Sequence, residues 1–466
     1  MAEALPNETL RQYLRELKPE ARELLASELE RAQLRGESPP GAESILAALR
    51  SEARRDDRKL PRIGNPQRLF FAPFEPLLVD DAPERRHPGR IARVCLDPIW
   101  NWICRDLTPR EARTYGDQVS LLLAANEKNG AEQVARAFQD LVEQRVRECL
   151  IAIKKDEKAS QRVAGQIGTP RAIEMLREFA AILRVRDALG VIGSRLPPTI
   201  SNLAEAQLAN VTALLDSPIG RHRDVFLYAL LVVMSRLGSP WQLIRLAIRA
   251  AASDAAARIA ETPLAVAVDV VLTDLDRMIA NLREGLKAGR SGEVATLLKD
   301  IHDAARALHT EIDLSIDSPW GRQLAAARAE VAGLLEGEID NLPGQVRRLL
   351  RPRTPREAGA AVDEGDVAEI EAKLVLAATC RNYASELAIS EVSGRVHSDL
   401  QNYFDNGTQV LLDRLRTSPP AELTFRQSQA EAAIKFCAIL FGAEYASLLA
   451  KAADHAGKGE QKAASA

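Results

Sequence analysis

Aromatic residues are few in this 466-residue chain: ten Phe, four Trp and six Tyr, 4 % of the whole. Sheet cores draw on aromatic and β-branched side chains, and no stretch here alternates apolar with polar residues over the length of a strand. A sheet-based fold is excluded on that ground. Cysteine is scarce and scattered. Cys95, Cys104, Cys149, Cys380 and Cys437 lie far apart with no CxxC pair, which argues against a disulfide scaffold and for reduced thiols in a cytoplasmic protein. Long apolar runs are missing too. The longest, Val225 to Met234, has ten residues, against roughly 20 for a membrane-spanning helix. The opening residues, MAEALPNETLRQYL, lack a basic region followed by an apolar run, so no secretory leader is expected. Neither sign of charge prevails. With 62 Lys and Arg against 65 Asp and Glu, the net charge of −3 offers no basic footprint, and nucleic acid is not an expected partner. There is no HExxH, GxSxG, Walker loop or strand-linked GxGxxG, so no catalytic residue, metal ligand or cofactor is assigned.

What is present is helix-forming material, rich in Ala, Leu, Glu and Arg. Of the 62 basic residues 49 are Arg, which fits GC-rich bacterial codon usage and supplies many bidentate donors. The expected fold is all-α, an irregular multi-helix bundle or array. Nine dipeptides announce helix starts by placing a capping side chain before a proline: Asp97-Pro98, Thr108-Pro109, Thr169-Pro170, Ser217-Pro218, Ser239-Pro240, Thr262-Pro263, Ser318-Pro319, Thr354-Pro355 and Ser418-Pro419. The cap oxygen can accept from an open backbone N–H, and proline fills the first helical position without losing a bond. The expected organisation is an N-terminal helical hairpin (1–34), a tether and extended arm (35–96) containing one short helix, AESILAALRSEARR, a main helical body (97–350), a charged linker (351–366), a C-terminal helical unit (367–456) and a disordered tail (457–466). Leu24, Leu25 and Leu29 are expected to face one way in the second hairpin helix. Ile434, Cys437, Phe441, Tyr445 and Leu448 recur at three and four, as in one long docking helix.

One proline-broken segment, 69–102, collects Phe70, Phe71, Phe74, Trp100 and Trp102. Pro73 and Pro76 cannot donate to a strand ladder and favour an extended, polyproline-like path over 69–93. Three rings pointing into water would make an unusual apolar patch, so something covers them: either the protein's own helices, with Trp100 and Trp102 nearby, or a partner that these five residues would contact. The same segment carries Arg85, Arg86, Arg90 and Arg93. Four Arg in nine residues could hold a phosphate or carboxylate, although Asp80, Asp81 and Glu84 are at hand to neutralise them.

Four weaker patterns complete the reading. His302, Arg306, His309 and Asp313 share one helical face, but two His a full two turns apart, about 10 Å, cannot share one zinc ion. Asp269, Asp274 and Asp276 crowd one stretch without a recognisable metal spacing. Finally, DSPIGRHRD from Asp216 echoes DSPWGRQLA from Asp317, and the basic run Arg347–Arg356 precedes an acidic one, Asp363–Glu371, which suggests pairing between them. The function expected from all this is a non-catalytic helical scaffold or adaptor that meets another protein or itself. The alternatives are a regulator holding an anionic small molecule on the Arg-rich loop, and an all-helical enzyme whose site converges only in three dimensions.

Overall fold

Helix dominates the computed structural model, which describes residues 14, 17–35, 37, 39–55, 64–81, 88–289, 291–351, 353 and 360–458. The all-α expectation holds. Two compact units form, one from residues 1–198 with 210–236 and the other from 199–209 with 237–466.

Unit one contains α1 (Pro19–Leu34), α2 (Ala42–Arg55), α3 (Pro66–Phe71), α4 (Leu96–Trp102), α5 (Pro109–Ala124), α6 (Lys128–Ile153), α7 (Glu157–Ile167) and α8 (Ala172–Arg195). Helix α9 (Glu205–Leu215) draws residues from both units, and α10 (Arg223–Met234) returns to unit one. The periodicity of α6 explains its place: Ala131, Ala135, Phe138, Val142 and Val146 recur at three and four and are all buried. That stripe packs on α5 and α8, and α8 in turn packs on α10. Helix α10 is the ten-residue apolar run, and from Tyr228 to Met234 every residue is buried, as a core helix requires. Near the N-terminus Leu14, Ala26, Leu29, Leu46 and Leu49 make a small satellite core. Of the three leucines expected to share a face in α1, Leu29 is buried in this core and Leu25 packs against it, with Ala26 beside them, whereas Leu24 is 64 % exposed. The short helix expected within the tether is α2, with the same bounds.

Unit two contains α11 (Ile244–Ala251), α12 (Ala256–Ala260), α13 (Val266–Lys287), α14 (Ser291–Glu311), α15 (Pro319–Ile339), α16 (Leu342–Leu350), α17 (Glu364–Asn382), α18 (Ser390–Arg416), α19 (Pro420–Phe441) and α20 (Ala443–Lys458). Helix α13 packs on α14 and α15, and α14 on α17, which packs on α18 and α19. The long docking helix is two helices. Gly442, at φ +89° and ψ 172°, takes a backbone conformation open essentially to glycine alone and turns the chain so that α20 packs back on α19. Leu448 is accordingly 68 % exposed.

Proline does mark helix starts at Pro109 and Pro319, and it opens 3₁₀ turns at Pro240 and Pro263. The preceding hydroxyls mostly do something other than cap. Thr108, Thr262 and Ser418 donate backwards, to the carbonyls of Ile103, Ile259 and Arg414. Only Ser318 of the helix-starting set accepts from its own helix, through the N–H of Gly321 at 3.0 Å. Asp97 lies inside α4 and accepts from Gln67; Thr354 lies outside the described residues. Side chains that cap outside the proline-marked set include Asn65, Asp156, His222 and Asp363.

The DSPxG echo is a repeated local structure. Ser217 donates to Leu214 O at 2.6 Å and accepts from Gly220 N at 3.2 Å. Ser318 does the same with Ser315 O and Gly321 N, at 2.6 and 3.0 Å. In each copy a Cβ on the glycine would collide with a backbone carbonyl, Leu214 O in one and Ser315 O in the other. That collision explains why both copies have glycine there.

Candidate functional site

The segment singled out by its aromatics is helical where an extended path was expected. Asn65 caps α3 by accepting from Arg68 N at 2.7 Å, and Pro66 fills the first position. A 3₁₀ turn follows over Ala72–Leu77, with Pro73 and Pro76 inside it. Fixed φ near −65° serves a 3₁₀ turn as well as a polyproline path, so proline content alone could not separate the two. Among the described residues of this segment, two short strands, β1 (Leu78–Val79) and β2 (Ile91–Ala92), pair in parallel.

This arm is packed into unit one. Phe70 and Phe74 are fully buried and Phe71 nearly so. Phe70 meets Phe71, Trp100, Phe138 and Phe179 with ring centroids 5.1 to 6.2 Å apart, and Phe74 stacks on Phe179 at 5.1 Å. Such pairs add about 0.5–1.5 kcal/mol each beyond area burial. Two hydrogen bonds tie the arm's backbone to the body: Tyr115 donates to Pro66 O and Gln139 Nε2 to Phe70 O, both at 2.7 Å. Burial raises the Tyr115 phenol well above its ordinary range. Trp102 is buried as well and reaches Gln166, while Trp100 is half-buried. The arm closes at Gly89, whose φ of +68° and contact with Leu231 leave no room for a Cβ.

The Arg-rich loop is partly accounted for. Arg93 makes a bidentate pair with Glu75, both bonds at 3.1 Å, and a further bond to Asp80 at 3.0 Å. Arg90 reaches the sulfur of Met234. Arg85 and Arg86 lie outside the described residues. The pairing of the second Arg run with the acids after it is not seen among the described residues: Glu369 and Glu371 pair with Lys373 and Lys435, while Arg347 and Arg353 lie over the rings of Tyr403 and Phe425.

The arm also forms one wall of a cleft of ≈ 670 Å³ within unit one. Leu69, Pro73 and Pro76 face Arg136 of α6, Arg186 of α8 and Arg236, just beyond α10. Arg186 is only 8 % exposed. Its Nη1 donates to Leu183 O and its Nη2 to Asp140, but its Nε is buried with no partner. The Nε of Arg236 is in the same condition. Arg136 has no ion pair among the described residues. Glu132 and Asp187 share the lining, and Arg186 is ion-paired with Asp140. This arrangement suits an anion held by several guanidinium groups. Sequence reading missed these three arginines, because nothing local distinguishes them from the other 46.

The remaining candidates are structural in placement. Asp274 is buried and paired with Arg277 at 2.9 Å. Asp269 accepts from the Trp320 indole at 2.7 Å and Asp276 from Gln323 at 3.0 Å. His302 lies against the Tyr383 ring in a tilted arrangement and bonds Asp303. No group of three or more His, Cys, Asp and Glu able to hold a metal ion occurs among the described residues. No helix among them is long and apolar enough to cross a membrane. No family model matches the chain, and neither does any curated protein or solved structure.

Proposed function

We propose that this chain is a binding protein, not a catalyst, and that its unit-one cleft holds an anionic small molecule of the phosphate or polycarboxylate class whose occupancy regulates the protein. The observation that carries this reading is the convergence of Arg136, Arg186 and Arg236 on one cleft, with Arg136 in no ion pair among the described residues. Guanidinium groups bind phosphate and carboxylate oxygens through charge-assisted hydrogen bonds. Arg136 and Arg236 add charge from two other elements, and a cleft of ≈ 670 Å³ has the size of an ordinary small-molecule site. The anion reading therefore rests on these three side chains and not on the loop arginines, of which Arg93 is already paired. The scaffold or adaptor reading has less to stand on, since Phe70, Phe71 and Phe74 are buried in their own unit.

Calorimetric titration of the full chain with pyrophosphate and with citrate tests the proposal. Saturable binding is expected, weakened about tenfold or more by Arg136→Ala or Arg236→Ala, a loss of about 1.4 kcal/mol. Arg136 is exposed, so its removal leaves the fold intact. Absence of saturable heat with both probes, or affinity indifferent to both substitutions, ends this reading.

A further inference from the structure

A second cleft lies wholly within unit two, with a volume of ≈ 360 Å³ and walls from the end of α15 and from α17, α18 and α19. Its polar end is built by two helices. Arg381 sits in the last turn of α17. Ser393 and His397 are four residues apart near the start of α18, and that spacing puts both on one helical face. Arg381 Nη1 donates to His397 Nε2 at 2.5 Å. An acceptor nitrogen belongs to a neutral imidazole with its proton on Nδ1. Burial, and then the adjacent Arg381 charge, hold the His397 pKa below its ordinary value.

Two features of this end are unfinished. Arg381 has no carboxylate within ion-pair reach among the described residues, so its only polar partner is a neutral ring. Ser393 is 4 % exposed, and its hydroxyl has no hydrogen-bond partner among the described residues, although it lines the cleft. The hydroxyl and the guanidinium therefore both keep donors open to the cleft, where the oxygens of an anionic group can accept from them. Leu400, further along α18, and Ile439 and Leu440 of α19 add apolar lining.

We infer that the unit-two cleft binds an amphipathic monocarboxylate, its carboxylate on Arg381, Ser393 and His397 and its hydrocarbon chain along Leu400, Ile439 and Leu440. One full positive charge matches one carboxylate better than a polyanion. The two donors, a guanidinium and a hydroxyl, suit its two oxygens. The apolar lining rewards a chain of several methylene groups, each worth about 0.8 kcal/mol when buried. This site shares no residue with the unit-one cleft, and the inference stands independently of that reading.

The test is calorimetric titration of the full chain with sodium octanoate, with 1-octanol as the uncharged control. Saturable octanoate binding is expected, with octanol about tenfold weaker or worse. Arg381→Gln, at an exposed position, is expected to weaken octanoate by about tenfold. Ala378→Phe, which fills the cleft, is expected to abolish it, and Arg136→Ala in unit one to leave it unchanged. Circular dichroism confirms that each variant is folded. Equal affinity for octanoate and octanol, an Arg381→Gln variant that binds as the parent does, or no saturable heat at all would each overturn the inference.

Discussion

A hydroxyl before a proline reads as a helix cap, and at Ser318 it is one. At Thr108, Thr262 and Ser418 the same residue type donates backwards to a carbonyl of the preceding turn. The sequence could not separate these outcomes, because Ser and Thr both donate and accept. Ser318 does both, since it also donates to Ser315 O. Single residues can also carry a pH dependence. His397 faces Arg381 from α17 and the Phe441 ring from α19, and its folded pKa is lowered by burial and by Arg381. The folded state thus prefers the neutral ring. Its contribution to stability is fully present above the unfolded value, near 6.5, and is lost as pH falls through the folded one. Urea midpoints measured at about pH 7.5 and 5.5 are expected to drop more for the parent than for His397→Asn. Equal drops in the two proteins would show that this histidine carries none of the acid sensitivity.

At the scale of elements, the sequence was most legible where apolar residues repeat at three and four without interruption. Helix α2 has the bounds expected for it, and the stripe of α6 is visible in the residue order alone. Legibility fails at glycine and proline, whose meaning depends on φ and ψ values that composition does not state. The segment 434–448 keeps helical spacing across Gly442, yet the backbone there is not helical. In α7 the closing Gly168 is left-handed, with φ 71° and ψ 23°, a conformation asparagine also adopts. At Gly442 ψ is 172°, where asparagine gains nothing. The expected outcome is a contrast. Gly168→Asn should cost only a few tenths of a kcal/mol, while Gly442→Asn and Gly442→Ala should each cost about 1–3 kcal/mol. Chemical denaturation of the three variants checks it, and a Gly442→Asn variant as stable as Gly168→Asn would mean that the α19–α20 junction relaxes without strain.

Across the whole molecule, what was invisible is what only the fold assembles. Arg136, Arg186 and Arg236 come from three elements spread over a hundred residues, and Arg381, Ser393 and His397 bridge two helices. In a chain with 49 arginines, no local pattern marks the six residues that end up at the two clefts. The aromatics are the opposite case, since their scarcity makes any gathering informative. Seven of the chain's twenty, Phe70, Phe71, Phe74, Trp100, Tyr115, Phe138 and Phe179, meet in one cluster. Of these Phe70 touches five others. Replacing a buried Phe by Ala costs about 3–5 kcal/mol, a large share of the about 5–15 kcal/mol that holds a typical domain folded. Phe70→Ala is therefore expected to melt well below the parent and to lose much of its aromatic circular dichroism, with Phe70→Leu intermediate. The arm walls the anion cleft through Leu69, Pro73 and Pro76, so the loosened variant should also bind pyrophosphate more weakly even though Phe70 itself does not line the cleft. If Phe70→Ala instead keeps its melting temperature, the ring is not a core residue in solution and the arm is free to meet another protein.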